Sequence, residues 1–136
     1  MMKLKSELSE KNKYWIPKHR YYELRHFCLQ YNDWRTAYNT ITYISAVDLS
    51  PLLARSDLND PVARAAEARI FYKGRIDLVE RIAKETDPLL SAYILKGVTE
   101  ELSYDVIRAR MDIPCCREVY YEAYRRFFWL LDKARN

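Results

Sequence analysis

Residues 95–135 decide the fold, and they read LKGVTEELSYDVIRARMDIPCCREVYYEAYRRFFWLLDKAR. Ser103 is a favourable helix N-cap, so it predicts a short helix from residue 104 to about residue 110. Met-Asp-Ile-Pro at 111–114 then predicts a turn, and a longer helix follows over about 115–133. A short helix, a tight turn and a longer helix are the order and spacing of a helix-turn-helix.

The two faces of this predicted unit follow from helical spacing. Apolar residues at three- and four-residue intervals are expected to pack inward, and they are Leu102, Val106, Ile107, Ile113, Val119, Ala123 and Phe127. The opposite face near the start of the second helix is expected to present Cys116, Arg117, Tyr120, Tyr121, Tyr124 and Arg125.

This outward face has the chemistry that reading DNA requires. A helix N-terminus carries partial positive charge toward phosphate, and arginine can bridge O6 and N7 of guanine. The predicted base-contacting residues are Cys116, Arg117, Tyr120, Tyr121 and Arg125. The predicted phosphate contacts, which set the register on the duplex, are Ser103, Tyr104, Arg108, Arg110, Tyr124 and Arg126. The alternative for the same pattern is a plain helical corner that binds nothing.

A family resemblance rests on these residues. Residues 93–131 resemble the C-terminal end of phage and prophage transcriptional regulators of the RinA and ArpU type, which is similar in turn to region four of sigma factors. The matching residues are Ser103, Tyr104, Ile107, Ile113, Pro114, Arg117, Tyr120, Tyr121 and Arg125 to Leu131. The segment IPKHRYYELRHFCLQY at 16–31 also resembles the start of small prophage proteins of this kind.

The resemblance implies a small protein that binds double-stranded DNA and activates phage late genes. RNA polymerase is a further candidate partner. It departs from the family pattern at Cys115 and Cys116, because many sigma-like helices begin on serine or threonine there. A thiol is a poorer cap than a hydroxyl.

Composition favours an all-α chain, a small helical domain that ends in the helix-turn-helix. Only two of the 136 residues are glycine, Gly74 and Gly97. So few glycines exclude the Walker and dinucleotide phosphate loops and disfavour an all-β fold with its many tight turns. Gly97 is expected to end a helix over 89–96, and Gly74 is expected to mark a kink or a close helix contact inside a longer helix.

The remaining segments predict the organisation of one compact domain. Residues 1–13 are polar and read as a flexible basic arm. Residues 14–60 predict a helical hairpin and a connector over 45–60 with one helical turn after Ser50, and residues 61–136 predict a long helix followed by the helix-turn-helix. The second helix of the hairpin is expected to start from a cap at Asn32 or Asp33. Asp-Pro pairs at 60–61 and 87–88 are typical helix starts. Two helical stripes are expected to be buried, Leu24, Phe27, Cys28 and Tyr31, followed by Trp34, Ala37, Tyr38 and Ile41.

Charge and cysteine content bound the function class only loosely. The net charge of +4 is mildly basic, although 14 of the 23 basic residues are arginine, which suits phosphates and base edges better than lysine does. Three cysteines with one adjacent pair do not form a secreted disulfide framework or a zinc motif. We therefore expect no cofactor and no metal, and a protein of the bacterial host cytoplasm without a membrane span.

Two alternatives remain open at this point. An enzyme is disfavoured, because no pattern of nucleophile, base and carboxylate can be placed. A phage-encoded protein-interaction module, acting on host RNA polymerase or a defence complex, is the second hypothesis, and it requires a contiguous exposed patch of tyrosine and tryptophan. The run Phe127 to Leu131 is apolar all round a helix, so it must pack on an N-terminal hairpin carrying Trp15, Tyr22, Phe27 and Trp34 or form a homodimer interface.

Overall fold

A computed structural model of the chain describes residues 11–46 and 61–136, which confirm the all-α class. Six helices lie in the described residues. They are α1 (Lys18–Leu29), α2 (Tyr31–Ala46), α3 (Pro61–Thr86), α4 (Ser91–Glu100), α5 (Tyr104–Met111) and α6 (Arg117–Ala134). The expectations for the arm up to residue 10, for most of the connector and for the Asp60 cap lie outside the described residues. The domain boundaries remain predictions.

Proline and serine set two helix starts as predicted. Pro61 is the first residue of α3, and its fixed backbone angle and missing N–H suit that place. The Ser103 hydroxyl accepts a hydrogen bond from the backbone N–H of Val106 at 3.3 Å, which caps α5. The cap predicted at Asn32 or Asp33 is wrong, because α2 already begins at Tyr31.

The prediction that a helix over 89–96 ends at Gly97 is wrong. The Asp87 carboxylate accepts hydrogen bonds from the N–H groups of Leu89 and Leu90 at 2.9 and 3.2 Å, and this turn delays α4 until Ser91. Gly97 lies buried within α4, which ends instead on Glu101 in the left-handed conformation with φ 57°. Gly97 is therefore an interior residue of α4 and does not end a helix.

Residues 1–30 and 79–136 make up one compact unit, which contains α1, the end of α3 and α4 to α6. Within it α4 packs on α1, α5 and α6, while α6 also packs on α1 and α5. The side chains that are almost fully buried in this unit, at 2 % exposure or less, are Ile16, Leu24, Cys28, Val79, Ile82, Ala83, Ile94, Val98, Ile107, Tyr120, Phe127, Phe128 and Leu131.

The aromatic run of α6 packs within the chain. Phe127, Phe128 and Leu131 are buried. The Tyr21 ring meets Phe128 edge-on at 5.2 Å between centroids, and Tyr14 meets Trp129 in the same way at 5.5 Å. Intramolecular packing on α1 and the residues before it is thus confirmed, with Tyr14 and Tyr21 in ring contact with the run. The homodimer alternative is not needed to bury these rings.

Residues 31–78 make up the second compact unit, with α2 and the first part of α3. Trp34 is buried, as the stripe predicts, whereas Ala37, Tyr38 and Ile41 are only half-buried. The Arg75 guanidinium lies over the rings of Trp34 and Phe71, at 5.6 and 4.5 Å from their centroids. The close helix contact expected at Gly74 is wrong, because a Cβ added there would have no neighbour within 4 Å.

Candidate nucleic-acid interface

The candidate site is the C-terminal corner, which we define as α5, residues 112–116 and α6. Ile113 is buried between the two helices' ends, as predicted. The Tyr104 hydroxyl donates a 2.5 Å hydrogen bond to the backbone carbonyl of Cys115, which ties the first residue of α5 to the end of the turn. The corner is therefore held by a side-chain bond across the turn as well as by apolar packing.

Tyrosines on α6 fix the other side of the corner. The Tyr121 hydroxyl accepts from the backbone N–H of Tyr104 at 3.0 Å, and the Tyr120 hydroxyl donates to the Leu102 carbonyl at 3.0 Å. Burial raises the pKa of the Tyr120 and Tyr124 phenols above the usual value, with neighbouring tyrosines adding to the effect. Both hydroxyls therefore stay protonated at neutral pH, and Tyr120 remains a donor.

The predicted outward placement of three tyrosines is wrong. Tyr120 is 0 % exposed, and Tyr104 and Tyr124 are also buried. Val119, which was expected to face inward, is 44 % exposed. The reason is that tyrosine is amphipathic. The buried stripe of α6 runs through Tyr120, Tyr124, Phe127 and Leu131 at helical spacing. Backbone carbonyls accept the hydroxyl hydrogen bonds of Tyr104 and Tyr120.

The remaining predicted residues differ in how far their side chains are exposed to solvent. Cys116, Arg117, Arg108 and Arg110 are exposed, the first two at the start of α6 and the others at the end of α5. Half-buried positions are taken by Ser103, Tyr121, Arg125 and Arg126. The Ser103 hydroxyl is already engaged as the cap of α5. The corner thus presents three exposed arginines close to the end of α5 and the start of α6, and two half-buried arginines further along α6.

Among the arginines of the corner, Arg117 stands closest to the N-terminus of α6. It is the first residue of α6, and its guanidinium lies 5.3 Å from the centroid of the Tyr104 ring. It also donates a 2.8 Å hydrogen bond to the Asp105 carboxylate, with 51 % and 71 % of the two side chains exposed. An exposed ion pair of this kind contributes little stability and exchanges readily for another anion.

Arg125 has a buried group without a partner. Its Nε is buried and makes no hydrogen bond to any described residue. The Nε of Arg126 is in the same state, although its Nη1 donates to the Tyr14 hydroxyl at 3.5 Å. An unpaired buried donor is costly to a fold.

Two acidic residues of the surface were missed by the sequence reasoning. Glu118 and Glu122 are both exposed on α6, on the side away from the buried tyrosines. Their spacing of four residues was visible in the sequence. The sequence does not show that these two carboxylates lie on the exposed face of α6, because it does not show that Tyr120 and Tyr124 are buried. Carboxylates on a recognition helix can accept from the amino group of cytosine.

The start of α6 lacks a side-chain cap. Cys116 is the N-cap with extended backbone (φ −84°, ψ 171°), and its thiol makes no capping hydrogen bond. We expect Cys116→Ser to raise the free energy of unfolding by about 0.5–1 kcal/mol, because a hydroxyl accepts from the free N–H groups of the first turn. Thermal or urea unfolding measures the effect. Cys115→Ser, one residue outside the cap, is the matched control and should bring no gain, and an equal gain in both variants would contradict the cap as its source.

None of the three tryptophans is fully exposed for the patch that the protein-interaction alternative requires. Trp34 is buried, while Trp15 and Trp129 are half-buried. Among residues 11–46 and 61–136, no three His, Cys, Asp or Glu side chains are grouped so that they could hold a metal ion. None of the described helices has a stretch long and apolar enough to cross a membrane.

Comparison with protein-family models, curated proteins and solved structures finds no match to this chain.

Proposed function

We propose that this chain binds double-stranded DNA sequence-specifically and regulates transcription of a phage or prophage, activating its late genes. The observation that carries the proposal is the C-terminal corner, a short capped helix and a longer helix whose first turns are exposed and flanked by arginines. The resemblance of residues 93–131 to RinA and ArpU type regulators supports the transcriptional part. Activation implies RNA polymerase as a second partner.

In this proposal the first three turns of α6 enter the major groove. Arg117 breaks its ion pair with Asp105 and bridges O6 and N7 of a guanine. Arg125, about two turns further along α6, reaches a base or a position next to one. Glu118 and Glu122 accept from amino groups of cytosine, which adds discrimination without charge attraction. Cys116 and Tyr121 lie at the edge of the same surface.

Backbone contacts come from the flanks of the corner. Arg108 and Arg110, exposed at the end of α5, bind phosphates on one side, and Arg126 binds on the other. The roles predicted for Tyr104 and Tyr124 as phosphate ligands, and for Tyr120 as a base contact, are not part of this proposal. Their rings are buried, and the hydroxyls of Tyr104 and Tyr120 donate to the backbone carbonyls of Cys115 and Leu102.

Selection from a random duplex pool tests the proposal directly. The full chain is mixed with a pool of labelled double-stranded DNA carrying a random core, and bound DNA is amplified over several rounds. We expect one sequence to be enriched, and its affinity should fall steeply as salt rises because bound phosphates release counterions. A pool that stays random, with binding that does not change with salt, would overturn the proposal.

Removing the carboxylate beside Arg117 should tighten binding. We expect Asp105→Asn to bind the selected duplex roughly threefold to tenfold more tightly at low salt, because Arg117 loses its competing partner and a charge that repels phosphate is removed. Fluorescence anisotropy at two salt concentrations measures the change. Glu23→Gln removes an exposed carboxylate on α1 and serves as the control with unchanged affinity. Weaker binding by Asp105→Asn would show that Arg117 does not contact the DNA.

A further inference from the structure

The exposed face of α3 belongs to no site described so far. This helix has 26 residues and is about 39 Å long at 1.5 Å per residue. Residues at intervals of three and four form one exposed stripe, and they are Ala63, Ala66, Ile70, Gly74, Asp77 and Arg81. Ile70 is 73 % exposed and the neighbouring Phe71 is 52 % exposed, so two large apolar side chains lie exposed next to each other in the middle of the helix.

A groove runs along the middle of this stripe. It has a volume of about 530 Å³, and its lining includes Tyr38 of α2 with Ile70 and Gly74 of α3. A Cβ at Gly74 would meet nothing within 4 Å, so the groove is open at the centre of the helix. A partner side chain or a second helix can approach the backbone closely there.

The order of positive and negative charges along α3 indicates which partner fits its exposed stripe. Counted from the midpoint between residues 74 and 75, eight of the ten charged residues of α3 form four pairs of opposite sign, with the two members at the same distance, within one residue, on either side. The pairs are Arg64 with Glu85, Glu67 with Arg81, Arg69 with Glu80, and Lys73 with Asp77. Arg75 and Lys84 have no such counterpart. At 3.6 residues per turn, the two members of each pair also lie on the same side of the exposed stripe.

A two-fold axis perpendicular to α3 brings the oppositely charged members of these pairs together between two copies of the helix. It reverses the direction of α3 and places the same side of the stripe against itself, so each member of the four pairs meets its oppositely charged counterpart on the other copy. The internal ion pairs Lys73–Asp77 and Arg81–Glu85, both at 2.9 Å, then become parts of larger networks between copies. A parallel arrangement would instead oppose like charges at each position.

We propose that α3 is the interface of an antiparallel homodimer, in which a second copy of this chain packs its own α3 across Gly74 with Ile70 and Phe71 as apolar contacts. The proposal does not rest on DNA binding. Because its specificity is electrostatic, the dimer is expected to weaken as ionic strength rises.

A charge-swap series on the full chain tests this, with sedimentation velocity run without DNA over a concentration series. We expect Glu67→Arg and Arg81→Glu each to raise the dimer Kd roughly tenfold or more, since each creates two like-charge contacts per dimer. The double variant should recover dimerisation, and the two single variants should form a heterodimer when mixed. Circular dichroism shows that each variant is folded, and Glu23→Arg, the same charge change on α1, should dimerise as the wild type does.

Three results would overturn the interface. The wild type could remain a monomer at every concentration at low salt. The single variants could dimerise as well as the wild type. The double variant could fail to recover the dimer, which would exclude this register.

Discussion

Replacing Gly97 by alanine is expected to lower the free energy of unfolding by about 2–4 kcal/mol. A Cβ at this position would overlap the Tyr120 hydroxyl oxygen and lie 3.2 Å from the ring carbon that carries it. Tyr120 cannot move away without cost, because it is fully buried and its hydroxyl bonds the Leu102 carbonyl. The added methyl therefore has to displace the packing of α4 on α6 or break that hydrogen bond.

Three further variants isolate the cause. Gly74→Ala places the same methyl on an exposed helix interior with nothing near it, so it should raise the free energy of unfolding by about 0.5–1 kcal/mol. Tyr120→Phe removes the overlapped oxygen, so the double variant Gly97→Ala/Tyr120→Phe should lose less stability than the sum of the two single variants by about 1 kcal/mol or more. Urea unfolding measures all four proteins. Strict additivity, or Gly97→Ala within 0.5 kcal/mol of the wild type, would contradict the close contact.

Arg117→Ala is expected to cost about 1–3 kcal/mol of binding to the selected duplex while leaving binding to unrelated DNA nearly unchanged. The reason is that Arg117 stands at the start of α6, where the proposal places it on a base edge. Its loss should therefore relax the preference at one base pair. Titrations of the selected duplex and of single-base variants by fluorescence anisotropy give both quantities.

Arg108→Ala is the matched arginine variant for this prediction. Because Arg108 lies at the exposed end of α5 and is proposed to bind phosphate, its loss should weaken every sequence alike and lower the slope of affinity against salt by about one charge. Identical behaviour of Arg117→Ala and Arg108→Ala, with both losing affinity uniformly, would mean that α6 does not read bases.

Much of the fold follows from local chemistry that the sequence displays. Ser103 caps α5, Pro61 starts α3 and Ile113 is buried in the turn, and each depends on neighbours within a few positions. The buried stripe of α1 follows in the same way, since Leu24, Phe27 and Cys28 repeat at helical spacing. Signals of this range need no knowledge of tertiary contacts.

The errors at Gly97 and at the α6 tyrosines have a common physical origin in contacts distant along the chain. Gly97 resembled a helix end, because the sequence does not show that Tyr120 approaches it from another helix. Tyr120 and Tyr124 resembled surface groups, because the Leu102 carbonyl that accepts from Tyr120 is invisible without the packing of α6 on α4. The candidate base-reading surface changed accordingly. Glu118 and Glu122 are exposed and belong to this surface, whereas Tyr120 and Tyr124 are buried and do not.

The most direct test of the proposed DNA-binding surface is the change in backbone amide NMR shifts when the selected duplex is added to the full chain. The proposal predicts the largest shift changes at residues 116–125, with smaller ones at Arg108 and Arg110, at a protein-to-DNA ratio set by the binding titration. Shift changes that spare the first turns of α6, or none on adding the duplex, would contradict the assignment of this corner as the DNA-reading surface.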